Sequence, residues 1–210
     1  AALSDGDTPD GTPAAGDDVF LSEDEETKSD EVAIDLGWCG TCPDVVVFVD
    51  ESSLFYLKND PAGLGQNLIG RSREMLLRTG ASIGFFLQSD ILHKALPDAP
   101  LYLFLNPLRI TSQERAAIRE KPQARGKTIA WLYAPGVFDA PGPTAQDVSE
   151  VVGMTLRRQP WNSRVGSQIV EQRHPMTERV RSGKRIGVEE ILNPSFSVDD
   201  SQAIVLAEYV

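Results

Sequence analysis

Four apolar runs alternate with segments of helical spacing in the central part of the chain. The runs span residues 45–49, 83–87, 101–105 and 127–133. Runs of β-branched and aromatic residues that are bounded by turn residues are typical of buried strands. Because strands separated by helices usually pair in parallel, the sequence predicts an α/β fold with a doubly wound, mostly parallel sheet.

Helix signals lie between these predicted strands. The segment 66–79 carries one helical face and ends at Gly80, and the face consists of Leu68, Ser72, Met75, Leu76 and Thr79. Three later helices are predicted over residues 90–94, 112–125 and 145–153. The last two begin with capping pairs, which are Thr111 with Glu114 and Thr144 with Asp147.

Beyond residue 154 the pattern of apolar positions weakens. Four shorter and partly antiparallel strands are predicted there, at residues 155–158, 167–171, 186–192 and 203–209. The chain ends in the strand-like run QAIVLAEYV. We therefore expect the folded domain, residues 44–210, to be truncated at its C-terminus.

The net charge of −11 belongs to the first 44 residues of the chain. They hold 13 Asp and Glu residues against one Lys, whereas residues 45–210 hold 18 acidic and 19 basic residues. A segment this polar cannot bury enough apolar surface to offset its ordering entropy, so residues 1–43 are predicted to be an acidic, largely disordered linker. The near-neutral remainder favours no nucleic-acid partner, and no apolar stretch is long enough to predict a membrane span.

Cys39 and Cys42 have the spacing of a thioredoxin-type redox pair. Two thiols at this spacing can exchange with the disulfide of a partner. The first thiol of such a pair needs a helix N-terminus, but Pro43 and the apolar run from Val45 follow the motif, so no helix is expected. The favoured interpretation is two thiols, free or joined in a local disulfide, and a redox role is the alternative.

Polar residues follow the predicted strands at their carboxyl ends, where open α/β sheets bind ligands. Asp50 and Glu51 follow the first strand, Asn106 follows the third and Tyr133 belongs to the end of the fourth. These four residues are the candidate ligand-binding residues. Adjacent strand residues point to opposite faces, which argues against a glycosidase pair of carboxylates at Asp50 and Glu51. Asp50 and Ser52 are interpreted instead as caps of the following turn.

Four motifs, in order, resemble those of a known family. They are VVVFVDESSLFYL, LLRTGASIGFFLQSDIL, PLYLFLNPLRITSQERAAI and GKTIAWLYAPG, and DVSEVVGMTL follows them. With these motifs, residues 44–210 resemble the β-galactosidase trimerisation domain, which follows the catalytic barrel in glycoside hydrolase family 42. The resemblance implies a flavodoxin-like fold similar to that of class I glutamine amidotransferases. It also implies a homo-oligomer, a trimer in that family, and a catalytic barrel upstream in the parent chain.

The amidotransferase comparison makes the turn after the fourth strand a test for catalysis. Those enzymes carry a nucleophilic Cys there and stabilise the oxyanion with the next backbone N–H. Here Ala134 offers no nucleophile and Pro135 has no N–H. His93 and His174 have no second ligand at metal spacing. No catalytic residue, metal or cofactor is therefore predicted in this chain.

The predicted function is non-catalytic: an oligomerisation or accessory domain of a β-galactosidase-like protein of carbohydrate metabolism. A second hypothesis is a stand-alone α/β protein that binds a small carbohydrate at the strand ends, around Asn106 and Tyr133. A third is a redox protein that uses Cys39 and Cys42. The first predicts a self-associating surface on residues 45–210, the second a monomer stabilised by ligand, and the third disulfide reductase activity.

Overall fold

A computed structural model describes residues 42–58, 63–93, 95–122, 126–138, 144–160, 166–181, 183–187 and 191–210. All of them belong to one of the two compact units of the chain, Gly37–Val210. The predicted acidic linker, residues 1–43, lies outside the described residues except for Cys42 and Pro43.

Four parallel strands form the central sheet. Its spatial order is β2-β1-β3-β4, and the strands are β1 (Val45–Val49), β2 (Ile83–Leu87), β3 (Leu101–Phe104) and β4 (Thr128–Trp131). Val45 lies opposite Ile83 on one side and Leu101 on the other, so the first strand lies inside the sheet. The predicted α/β class and parallel sheet are confirmed.

Helices connect these strands and pack on both faces of the sheet. A 3₁₀ turn (Ser52–Tyr56) follows β1, and a π-helical segment (Gln66–Arg71) continues directly into α1 (Ser72–Leu77). The later helices are α2 (Asp90–His93), α3 (Ser112–Glu120) and α4 (Ala145–Val152). None of the helices in the described ranges is both long and apolar enough to cross a membrane.

The two faces of the sheet are covered unequally. On one face, residues of α2, α3 and α4 pack against an aromatic layer in which the Phe104 ring stacks on Phe48 at 4.7 Å and on Trp131 at 4.4 Å between centroids. On the other face, Leu76 of α1 packs against the side chains that include Val47 and Leu103. The doubly wound arrangement is thus present, with its thinner helical layer over the second face.

The helix of residues 66–79 is wound differently from the prediction. Leu68 is buried as expected, but Met75, predicted on the same face, is largely exposed. The cause is the π-helical segment Gln66–Arg71, because a turn that holds more residues than an α-helical turn rotates the following residues around the axis. As a result, α1 contains no buried residue.

The C-terminal part forms two small antiparallel sheets. One pairs β5 (Leu156–Gln159) with β8 (Ser195–Val198), and the other places β6 (Ser167–Ile169) between β7 (Arg185–Ile186) and β9 (Ala207–Tyr209). The antiparallel pairing agrees with the prediction. The strand expected at 186–192 is shifted, because β7 ends at Ile186. The sequence pattern missed β8 because its serines interrupt the apolar run.

The predicted capping box opens α3. The Thr111 hydroxyl accepts a hydrogen bond from the Glu114 N–H at 3.2 Å, and the Glu114 carboxylate accepts one from the Thr111 N–H at 2.7 Å. Gln88, in the turn after β2, donates its side-chain N–H to the same carboxylate at 3.2 Å. Glu114 is buried, so this one side chain joins the start of α3 to the end of β2.

We expect Thr111→Ala to lower the free energy of unfolding by about 1–2 kcal/mol, because it removes the hydroxyl that caps α3. Urea denaturation followed by circular dichroism measures the change. Thr111→Ser keeps the hydroxyl and is expected to stay within about 0.5 kcal/mol of the original chain. Equal losses in both variants would contradict a capping role for the hydroxyl.

Candidate functional site

The carboxyl ends of β1 and β3 meet at the point where the chain reverses its direction of winding. From β1 the chain crosses to β2 on one side, and from β2 it returns to β3 on the other side of β1. This is the place where open α/β sheets most often bind ligands. The structure places Asp50 and Asn106 there, as the sequence predicted.

Asn106 joins the two strand ends. Its side-chain oxygen accepts a hydrogen bond from the Asp50 N–H at 2.9 Å, and its amide N–H donates to the Asp50 carbonyl at 2.6 Å. The residue is fully buried. The Asn106 side chain therefore bonds the backbone N–H and carbonyl of Asp50 at the point where the strand pairing ends. The amide stabilises the fold in this way.

The Asp50 carboxylate accepts hydrogen bonds from the turn that follows it. The Ser52 N–H donates at 3.0 Å and the Ser52 hydroxyl at 2.8 Å. The Ser53 N–H donates at 3.0 Å to the second oxygen, which the Ser53 hydroxyl also contacts. These bonds confirm that Asp50 and Ser52 hold the turn, and they use the buried carboxylate within the protein.

The Ser53 hydroxyl extends this polar network to the next loop. It accepts a hydrogen bond from the Arg109 N–H at 3.1 Å, and the Arg109 carbonyl accepts one from the Gln88 side chain at 2.9 Å. Both Ser53 and Gln88 are buried. The side chains of Ser53 and Gln88 thus bind the backbone of Arg109, and these hydrogen bonds connect the ends of three neighbouring strands.

Glu51 and Cys42 lie apart from this network. Glu51 is exposed although its neighbour Asp50 is buried, so the two adjacent carboxylates do not share one environment. Cys42 is exposed and precedes β1, at the opposite edge of the sheet from Asp50. Cys39 lies outside the described residues, so the pairing of the two thiols stays a prediction.

The turn after β4 has a strained backbone. Tyr133 and Ala134 both adopt the left-handed conformation, with φ of 54° and 43°, which residues other than glycine rarely do. The neighbouring loop holds the turn in place, because the Gly136 N–H donates to the Pro107 carbonyl at 2.8 Å. This is the position of the nucleophile in the amidotransferase comparison, and Ala134 and Pro135 supply no such group.

Tyr133 connects this turn to the C-terminal part of the chain. Its hydroxyl donates to the Pro194 carbonyl at 2.8 Å. Burial, with a smaller effect from the nearby Tyr209, raises the pKa of Tyr133 to about 12. The pKa of Tyr209 is also raised by burial. Both phenols are therefore neutral hydrogen-bond donors at physiological pH.

A cavity of about 310 Å³ lies beside Tyr133. Its walls come from β4, the strained turn, α4, and the segments around β5, β8 and β9, and they include Trp131, Tyr133, Phe196 and Tyr209. Of these, only Tyr133 was predicted as a site residue. The alternation of Phe196 and Val198 with two serines is the signal that could have revealed the β8 wall.

A wider groove of about 740 Å³ runs along the C-terminal strands. Its walls include Arg157, Gln159, Ser167 and the segment 203–209. Among the residues that the structure describes, no three His, Cys, Asp or Glu side chains lie close enough together to hold a metal ion.

A β-galactosidase is among the distant structural neighbours of this chain. No family model matches the chain, and no curated protein matches it. The crystal structure of a β-galactosidase from Bifidobacterium adolescentis is similar with a TM-score of 0.43 and 12% identity, over 81% of this chain and 78% of that chain. A TM-score this low carries no argument of its own, so the functional assignment rests on the residues and geometry of this chain.

We expect Asn106→Ala to lower the free energy of unfolding by about 2–5 kcal/mol, because it leaves the buried N–H and carbonyl of Asp50 without their partners. Chemical denaturation measures the loss. Ser52→Ala is the control: it removes one hydroxyl from the same network but leaves the Asp50 carboxylate its other donors, so its effect should stay below about 1 kcal/mol. Similar small losses for both variants would show that Asn106 does not hold the strand ends.

We expect the stability of the chain to fall as the pH rises from about 10 to about 12. The pKa of Tyr133 is about 12 in the folded protein and about 10 in the unfolded chain, so the unfolded chain loses its proton first and is favoured in this window. Urea denaturation at pH 9, 10 and 11 measures the slope. Tyr133→Phe should reduce this slope and leave the part that comes from Tyr209, whose pKa is also raised by burial. An unchanged slope in that variant would contradict a raised pKa of Tyr133 in the folded protein.

Proposed function

We propose that the chain is a non-catalytic α/β accessory domain that assembles with copies of itself in a glycoside-hydrolase-like protein. The observation that carries this proposal is an exposed apolar surface on α1 and β2. We define it as the edge surface, formed by Leu77, Phe85 and Leu87.

The edge surface combines a helix without buried residues and an edge strand. Leu77 is 61% exposed, and Phe85 and Leu87 are 38% and 42% exposed. Monomeric soluble proteins rarely leave such apolar side chains together in water, because burying them is favourable by roughly 25 cal/mol per Å². Self-association would bury these side chains against a second copy of the chain.

β2 is also one of the two outermost strands of the parallel sheet in the part of the chain that the structure describes. Soluble proteins usually protect such an edge with charged side chains, proline or a covering segment. Here Phe85 and Leu87 lie on this strand, and the Arg73 guanidinium lies 6.0 Å from the centre of the Phe85 ring. An apolar centre with an arginine beside it is typical of protein interfaces.

A trimer needs two different surfaces, because in a closed ring each copy must present one surface to the preceding copy and another to the next. The C-terminal segment provides a second apolar surface, on which Ile204, Val205 and Val210 are exposed. The edge surface and this C-terminal surface together meet the requirement for the trimer that the sequence motifs imply.

The polar chemistry of the strand ends supports a non-catalytic role. The Asp50 carboxylate and the Asn106 amide are used in hydrogen bonds within the protein, and the turn at Ala134 and Pro135 carries no nucleophile or oxyanion donor. The four sequence motifs support a β-galactosidase-like parent with its catalytic barrel upstream. Immunoblotting of the natural gene product tests that part: a parent protein should be larger than this chain by about 250 residues or more, the size of a (β/α)₈ barrel.

Self-association is tested by light scattering on the purified 210-residue chain. We expect a mass three times 22.9 kDa at 100 µM chain for the original sequence. The double variant Leu77→Lys, Phe85→Lys should have a mass of 22.9 kDa, because two buried lysine charges would oppose association.

Met176→Lys is the matched control, since it places a lysine at a well-exposed methionine outside the edge surface. It should retain the mass of the original chain. A monomeric original chain, or a double variant that still forms the full assembly, would contradict the proposal. Circular dichroism on all three proteins separates loss of association from loss of folding.

A further inference from the structure

We propose that the cavity beside β4 binds a small, neutral, largely apolar ligand with a two-ring aromatic framework. This inference concerns a different part of the molecule from the edge surface, and it does not depend on self-association.

The walls of the cavity are apolar and aromatic. Trp131 and Tyr133 lie at the end of β4, Val148 is contributed by α4, and Phe196 and Tyr209 close the side formed by the C-terminal strands. The described residues that line it include no charged side chain. Pockets of this composition bind ligands by burying apolar surface and by aromatic stacking.

The three hydroxyl groups in the walls already have partners. The Tyr133 hydroxyl donates to the Pro194 carbonyl at 2.8 Å, the Tyr209 hydroxyl to the Phe196 carbonyl at 2.9 Å, and the Ser195 hydroxyl to the Leu192 carbonyl at 2.6 Å. A sugar would bring several hydroxyl groups into the cavity and would find these donors occupied. Because unpaired polar groups disfavour binding, the chemistry of the walls favours an apolar ligand over the carbohydrate of the second sequence hypothesis.

The volume of the cavity sets the size of the ligand. An apolar cavity of about 150 Å³ in a protein interior holds one benzene molecule. The cavity described here is about 310 Å³, roughly twice as large. A two-ring aromatic molecule therefore matches its volume.

The strained turn gives this site a fixed wall. Tyr133 and Ala134 keep their left-handed backbone while the loop after β3 holds Gly136 from one side and Pro194 holds the Tyr133 hydroxyl from the other. Backbone strain of this kind is concentrated at ligand-binding and active sites. A wall that is already ordered before binding lowers the entropic penalty of forming the complex.

The experiment titrates the full chain with indole, a neutral two-ring aromatic probe, and follows methyl resonances by NMR. We expect saturable binding with a Kd between about 10 µM and 1 mM, a range that corresponds to a modest free energy for each non-hydrogen atom of the probe. The largest shifts should occur at the methyl groups of Ala134, Val148 and Leu192, which line the cavity. Galactose, added to the same concentration, should produce no saturable shift.

Two variants at neighbouring positions make the site assignment specific. Leu192→Trp places an indole ring in the cavity wall and should weaken binding of the probe at least tenfold. Ile191→Trp adds the same ring at an exposed position outside the cavity and should bind as the original chain does. The proposal is overturned by the absence of saturable indole binding, by equal weakening in both variants, or by binding of galactose in preference to indole.

Discussion

The reciprocal pairing of Asn106 with the backbone of Asp50 is the constraint on which the rest of the sheet end depends. Parallel strands leave the backbone groups beyond their last ladder bonds to find partners elsewhere, and at a buried position water cannot supply them. Asn106 satisfies one donor and one acceptor with a single side chain. Once Asp50 is held, its carboxylate organises the turn at Ser52 and Ser53. The polar groups of Asp50 and Asn106 therefore make their hydrogen bonds within the protein rather than with a ligand.

The sequence was sufficient for the parts of the fold that depend on local pattern. The strand β1 is a continuous β-branched and aromatic run, and α3 begins at a threonine with a glutamate three positions later; both features act over a few residues. The strand ends were also found, because parallel topology brings them to one edge. The sequence could not reveal that Asp50 and Asn106 are hydrogen-bonded to each other, because the two residues are 56 positions apart in the chain.

The remaining errors arise from interactions that no short window contains. The π-helical segment Gln66–Arg71 turns Met75 into solvent, and a regular helical period could not anticipate this extra rotation. The strand β8 depends on pairing with β5, so its serines are tolerated where a solitary strand would need apolar residues. The cavity depends on the same pairing, because Phe196 of β8 forms part of its wall together with Trp131 of β4.

The hydrogen bond from Tyr133 to Pro194 joins the parallel and the antiparallel parts of this unit. The change in pattern near residue 154 suggests a natural seam between a parallel α/β core and a separate antiparallel appendage. Yet Tyr133 belongs to the core, its partner lies 61 residues further along, and the cavity walls come from both parts. A gene fragment cut at that seam would expose the apolar walls of the cavity to water. The described residues on either side of residue 154 therefore belong to one compact unit that shares an apolar interior.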